Sequence, residues 1–141
     1  VLEITETAVM ENPQEALKIL DELNYAGVCI SIDDFGTGYS SLGYLRNLPS
    51  KELKVDRSFV MSMMQNRADM VLVQTVIDMA RNLNLRVVAE GVEDSETLAM
   101  LRKMGCDAAQ GYHLCRPTTP EALLSWLQER QEQAHANDTQ V

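Results

Sequence analysis

The sequence predicts an α/β protein: a partial TIM-like (β/α) barrel of about five parallel β/α units, with the N-terminal units missing. Three observations carry this. A short apolar, β-branched run followed by an amphipathic helix recurs along the 141 residues, and five such runs can be counted. Polar residues gather at the C-terminal ends of these runs, where α/β folds build their sites. Finally, Glu3, Asp33, Asp34, Lys54, Glu90 and Gln110 come from five consecutive runs. A doubly wound sheet also fits five strands, but the C-terminal rim of a barrel is what makes all of these residues converge. A complete barrel has eight strands in about 250 residues, so roughly three N-terminal units are expected outside this chain. Val1 already lies in an apolar run, in keeping with a chain that starts inside a domain.

The first run is Val1 to Glu6. Asn12-Pro13 then supplies an N-cap and N1 pair for a helix carrying Ala16, Leu17, Ile19, Leu20 and Leu23, closed by Gly27. The second run, Val28 to Ile32, ends in Asp33-Asp34 and leads into a Gly- and Ser-rich loop, Phe35 to Ser41, with a short helix before Pro49. The third is Leu53 to Asp56, followed by a Met-rich stretch from Met61 to Met64 and a helix from about Asp69 to Asn84. The fourth is Arg86 to Glu90; Ser95 with Glu96 is expected to cap the next helix, which Gly105 ends. The fifth, Asp107 to Tyr112, is weak by propensity. Thr119-Pro120 opens a last helix. The expected organisation is one domain portion over 1–130 and a polar, frayed tail over 131–141.

Composition narrows the function. Twelve Lys+Arg against 21 Asp+Glu give a net charge of −9, and 45% of residues are apolar, which is ordinary globular composition. No stretch has the roughly 18 apolar residues of a membrane span, so no direct membrane contact is expected from this segment, and the expected location is the cytoplasm. Cys29, Cys106 and Cys115 show no Cys-x-x-Cys spacing, and reduced thiols are the expected state. A sequence pI near 4.6 argues against duplex nucleic acid as a partner. An acidic protein that binds a phosphate ligand needs cations at the site, and metal ions held by carboxylates are the obvious source.

Asp33-Asp34 is the sharpest chemical feature. Adjacent carboxylates at a strand end can hold two hard cations, and two-metal sites stabilise the attacking and leaving oxygens of phosphodiester displacement. Alone, an Asp-Asp pair is more often a solvated turn. Its place between Ile30-Ser31-Ile32 and Phe35-Gly36-Thr37-Gly38 favours the metal. Alternation puts Glu3 on one strand face with Thr5, and Glu6 on the other. Glu3 reads as a metal ligand or, equally, as a solvent-facing residue. Lys54 among apolar neighbours reads as a contact to phosphate or to a nucleophilic water, or as a snorkelling edge residue. Glu90 is open to general-base and metal-ligand roles, and Glu93 can reach the same cleft or serve a helix entry. The hydroxyls of Thr37, Ser40 and Ser41 are suited to locking the loop over the metal pair. His113 and His135 support neither a metal site nor a triad.

Taken together, the motifs Leu2-Glu3-Ile4-Thr5-Glu6, Asp33 to Leu42, Leu53 to Val60, Val88 to Glu93, Gly105-Cys106-Asp107 and Gln110-Gly111-Tyr112, with Pro117 downstream, resemble the C-terminal part of an EAL domain, the cyclic di-GMP-specific phosphodiesterase. The likeness covers about residues 1–128. It implies a TIM-like barrel and a two-metal site for Mg²⁺ or Mn²⁺, with Glu3 and Asp33 on one ion and Asp33 and Asp34 on the second. It implies that Glu90 supports the catalytic water and that Lys54 orients that water or the phosphate. Glu93, Gln110, Asp56 and Tyr112 would bind substrate or support the site. Glu6 would anchor the Asp33 to Gly36 loop. The implied reaction is hydrolysis of cyclic di-GMP to linear pGpG, with a homodimer formed through the barrel. The Glu-Ala-Leu motif and an Asn metal ligand of the family lie upstream of Val1. The expectation is therefore an active parent domain and little activity in these 141 residues alone. A non-catalytic cyclic di-GMP binding or dimerisation module is the alternative, and a ligand-free folding fragment is a third reading.

Overall fold

A computed structural model of the chain describes residues 1–37 and 42–138. Its elements in order are β1 (Leu2–Thr5), α1 (Glu6–Glu11), α2 (Pro13–Tyr25), β2 (Ile30–Phe35), α3 (Leu42–Leu45), β3 (Glu52–Val55), α4 (Arg57–Ser62), α5 (Arg67–Asn82), β4 (Arg86–Ala89), α6 (Ser95–Met104), β5 (Ala108–Ala109) and α7 (Pro120–Asp138). The five strands form one parallel sheet in the order β1-β2-β3-β4-β5. The order never reverses. A doubly wound sheet needs a switch point at which it does, so this sheet is a segment of barrel wall.

The register separates two faces. Ile4, Ile32, Leu53 and Val87 lie side by side across four strands. With Ile30, Val55 and Ala89 they pack under the helices, against Leu20, Val60, Val73, Ile77 and Leu101. The opposite face is polar. Glu3, Ser31, Glu52 and Arg86 share one level across the same strands. There Ser31 Oγ donates to Glu52 Oε1 at 3.1 Å, and Arg86 Nη1 lies 3.5 Å from Glu52 Oε2. One level up, towards the strand C-termini, stand Asp33 and Lys54.

The local signals act with some substitutions. Asn12 precedes Pro13 as expected, but its side-chain amide donates to Glu15 Oε2 at 2.6 Å rather than capping backbone. The first run is shorter than expected, because Thr5 accepts from Ala8 N and starts α1 with Glu6 in its first turn. The cap of α6 is Asp94 and not Ser95: its carboxylate accepts from Thr97 N at 2.7 Å and from Thr97 Oγ1 at 2.9 Å. Gly105 ends α6 in the left-handed conformation, as the sequence suggests. Part of the Met-rich stretch belongs to α4, with Met63 wholly buried after it. β5 is only two residues long. Its entry is supported by Asp107, whose carboxylate accepts from Val87 N at 2.8 Å. α7 continues to Asp138, past the boundary at 130, since Gln, Glu and Ala are good helix formers. Ser40 and Ser41 lie outside the described residues.

One close approach fixes the loop after β4. A Cβ on Gly111 would stand 2.1 Å from Val92 O and 2.3 Å from Val92 N. Val92 cannot retreat, because its N–H donates to Gln110 O at 3.0 Å and its carbonyl accepts from His113 N at 3.0 Å. Gly111→Ala should therefore destabilise the fold by about 2 kcal/mol or more. Urea denaturation of the variant beside the parent chain checks this, and an unchanged midpoint would contradict the packing described.

Candidate active site

The acidic residues of the C-terminal rim are brought together by an irregularity in β2. Ile32 pairs with Leu53, and Phe35 pairs with Val55. Three steps on β2 thus answer two on β3, which is a β-bulge. Strict alternation from Ile32 would turn Asp34 into the apolar layer. Instead Asp34 takes φ 54°, a left-handed conformation that Asp tolerates, and Phe35 fills the core position. Asp33 and Asp34 are then both partly buried and both face the cleft. Ligand oxygens of Asp33, Asp34 and Glu90 lie within 4.8 Å of one another.

Lys54 sits at the centre. It is buried, and its Nζ lies 2.6 Å from Glu90 Oε1, 3.0 Å from Glu3 Oε1 and 3.3 Å from Asp33 Oδ1. Burial pushes the ammonium down, but hydrogen bonds to Glu90 and Glu3 and the charges of Glu90 and Asp33 outweigh it, holding Lys54 above its ordinary value. Lys54 therefore stays charged across the neutral range. Asp34 is raised too, from a different cause: burial, then the neighbouring charges of Asp33 and Asp56, lift its carboxyl above the usual range. Asp56 caps α4 by accepting from Ser58 N at 2.9 Å and from the Ser58 hydroxyl. Burial would raise it, but the Ser58 side-chain and backbone hydrogen bonds prevail and lower it.

The turn after the Asp pair is held from two sides. Glu6, buried at the start of α1, accepts from Gly36 N at 2.9 Å across 30 residues of sequence. Thr37 Oγ1 donates to Asp34 O at 2.8 Å. On the far side of Glu90 opens a cavity of about 600 Å³, lined by Glu90, Glu93, Gln110, Tyr112, Arg57 and Ser58 among others. Tyr112 is exposed, with Arg116 stacked over its ring at 4.5 Å from the centroid.

The candidate site residues on the five strand ends and the loops that follow them thus have places, Ser40 and Ser41 lying outside the described residues. Asp33, Asp34 and Glu90 form the cluster able to hold a cation, with hard oxygen donors and a raised Asp34 carboxyl that a divalent ion would relieve. Glu3, on edge strand β1, is half exposed and joins the site through Lys54. Glu93, Gln110 and Tyr112 line the cavity beside the cluster and not the cluster itself. Asp56 stands next to Asp34, and Glu6 behind the turn. Sequence reasoning passed over Arg57 and Ser58. Their position directly after Asp56, at the end of a strand, was the available signal.

A barrel-wall sheet with paired carboxylates and a buried Lys at its C-terminal rim defines a class of acidic α/β site whose carboxylate cluster could hold a cation. The chain belongs to the EAL domain family, which matches residues 1–117. It is similar to the cyclic di-GMP phosphodiesterase NbdA of Pseudomonas aeruginosa, 51% identical over 89% of this chain and 16% of that protein. It is also similar to the bifunctional diguanylate cyclase/cyclic di-GMP phosphodiesterase MucR of the same organism, 46% identical over 89% of this chain and 18% of that protein. Among solved structures it superposes on the MucR phosphodiesterase in complex with c-di-GMP with a TM-score of 0.84 at 46% identity, covering 86% of this chain and 49% of that one. It superposes on the manganese/cyclic di-GMP complex of BlrP1 from Klebsiella pneumoniae with a TM-score of 0.75 at 36% identity, covering 82% and 29%. The chain thus spans less than a fifth of the length of these curated relatives. Among the described residues no helix is long and apolar enough to cross a membrane.

Because Asp34 titrates above its unfolded value, its contribution to stability is present below the unfolded pKa and lost as pH rises through the folded one. At neutral pH and without divalent metal, Asp34→Asn should raise stability, by up to about 1 kcal/mol. Added Mg²⁺ or Mn²⁺ should stabilise the unsubstituted chain more than this variant, because Asn removes one carboxylate of the cluster. Chemical denaturation with EDTA and with metal checks both signs; an Asn variant that is less stable in EDTA contradicts the repulsion described.

Proposed function

We propose that this chain carries the C-terminal part of the active site of a metal-dependent phosphodiesterase that hydrolyses cyclic di-GMP to linear pGpG. The observation that carries the reading is the convergence of Asp33, Asp34 and Glu90 around Lys54 on three strand ends. The likeness to the c-di-GMP complex of MucR supports it.

Asp33, Asp34 and Glu90 would hold Mg²⁺ or Mn²⁺, with Glu3 available beside Asp33. When bound, the ions supply charge stabilisation to the phosphodiester oxygens. The protein's own residues do the rest. Lys54 keeps its proton and acts by position: its contact with Glu90 Oε1 fixes the direction of that carboxylate. Glu90 faces the cavity and can accept a proton from a water attacking phosphorus. Asp56, tied down by Ser58, limits the freedom of Asp34. Glu6 holds Gly36 and keeps the Asp pair aimed at the cleft. Gln110 and Tyr112 offer an amide and an aromatic face to a guanine in the cavity beside Glu90.

The test is cyclic di-GMP hydrolysis in Mg²⁺ or Mn²⁺, with the product identified by chromatography, by this chain alone and by a version completed to eight strands. Turnover is expected in the completed barrel and little in the chain alone. In the completed barrel, Glu90→Gln and Lys54→Ala should each lower kcat by about a hundredfold or more with KM changed only a few-fold. Near-normal rates in both variants would overturn the site. Tight binding without turnover by the completed barrel would identify a binding module instead.

A further inference from the structure

β5 is the weakest strand of the sheet, yet it delivers Gln110 to the cleft. Its ladder consists of Ala108 and Ala109, paired with Val88 and Ala89, and both alanines are only partly buried. Two methyl side chains contribute little apolar burial, and little that distinguishes one register from the next. A slip of one residue would turn Gln110 to the other face of the sheet, away from Glu90. At the cleft end Gly111 excludes the slipped pairings, because no side chain fits against Val92 there. Exclusion alone does not bind the strand. Gln110 N donates to Ala89 O at 2.8 Å, and Gln110 O accepts from Val92 N at 3.0 Å.

The attraction at the other end comes from a side chain. With Val88 paired to Ala108, Val87 faces Asp107. In a regular parallel ladder Val87 N–H would donate to the carbonyl of the residue before Asp107. It donates instead to Asp107 Oδ2 at 2.8 Å. A carboxylate makes a stronger acceptor than the peptide carbonyl it replaces. The turn that carries Asp107 is itself fixed. Cys106 N donates to Leu101 O at 3.0 Å, and Arg81 Nη2, reaching over from α5, donates to Gly105 O at 3.2 Å. Asp107 therefore ties a fixed turn to β4 just where the short strand begins. A strand added at the far edge of β5 in a completed barrel leaves this contact in place, since Val87 N–H lies in the seam between β4 and β5.

We propose that Asp107 is a positioning residue for cyclic dinucleotide binding: by taking Val87 N–H it anchors β5 on β4 and so holds the Gln110 amide at the cavity beside Glu90. This rests on the function proposed above, in which Gln110 offers that amide to a guanine. Asp107 acts only through Gln110, which lines the cavity and stands outside the Asp33–Asp34–Glu90 cluster. Loss of the anchor therefore weakens substrate binding and leaves the chemical step largely alone.

Two readouts test it. The first is amide hydrogen exchange of this chain by NMR, wild type beside Asp107→Asn and Asp107→Ala. The Val87 and Gln110 amides should be protected in the wild type. In Asp107→Ala both should exchange about tenfold faster or more, with the amides of β2 and β3 unchanged. Acceleration confined to Val87 would overturn the anchoring of Gln110, as would an unprotected Val87 amide in the wild type, a result that needs no variant to fold. The second is steady-state hydrolysis of cyclic di-GMP by the completed barrel. Asp107→Ala should raise KM by about fivefold with kcat within about threefold, and Asp107→Asn, which keeps an oxygen acceptor, should recover most of the loss. In a Gln110→Ala background, Asp107→Ala should change KM by less than about twofold, which a general loss of stability would not produce. An equal KM penalty with and without Gln110 would overturn the proposal, as would an unchanged KM in Asp107→Ala of an active barrel. A completed wild type that neither binds nor turns over cyclic di-GMP would overturn it together with the function it rests on, a failure that the exchange data distinguish from absence of the anchor.

Discussion

The ammonium of Lys54, buried between carboxylates from β1, β2 and the end of β4, is the contact on which the site depends. A buried ammonium without partners is expensive, and so are carboxylates packed together without a cation. Each solves the other's problem. Glu90 at 2.6 Å, Glu3 at 3.0 Å and Asp33 at 3.3 Å surround Nζ from three directions. Lys54 can take this place because β3 is the middle strand of five, with β2 and β4 in register on either side. The apolar layer on the other face, Leu53 and Val55 included, holds that register.

The second constraint is the bulge in β2. Without it, one member of the Asp pair would point into the core beneath Leu53. With it, Phe35 takes the core place, and Asp33 and Asp34 both serve the cleft. The strained backbone is kept in place by long-range contacts. Glu6 reaches across from α1 to Gly36, and Thr37 folds back on Asp34. The raised carboxyl of Asp34 is the residual cost of the crowding, and it is the kind of cost a bound divalent cation removes.

The cavity beside Glu90 arises from two places where a side chain is missing. Gly91 lets α4 close on the loop, and Gly111 lets Val92 close on the turn after β5. These contacts bring Arg57, Glu93, Gln110 and Tyr112 around one opening although they belong to three separate stretches of sequence. The carboxylate–lysine cluster and the residues lining the cavity are therefore adjacent but distinct. The first belong to strand ends, and the second to the loops and helix starts that follow them, a division of labour common to barrel folds.

Alternating apolar runs and amphipathic helices, with polar residues at the run ends, determined the class of fold and the strands that carry Glu3, Asp33, Lys54 and Glu90. Such signals are local and survive without knowledge of contacts. The caps show the limit. Asp94 and Ser95 are both good capping residues, and only the backbone path selects Asp94. The site shows it more sharply. Period-two alternation cannot foresee that Asp34 turns out of the core, because the extra residue of the bulge exists only in pairing with β3. Nor does any local pattern tell that Lys54 meets three carboxylates, that Glu6 on a helix holds Gly36, or that Arg57 is fixed by a glycine more than thirty residues away. Sequence determined which chemical groups stand at the strand ends. Distances between those groups depend on register and close packing, so tertiary structure alone decided which of them act together.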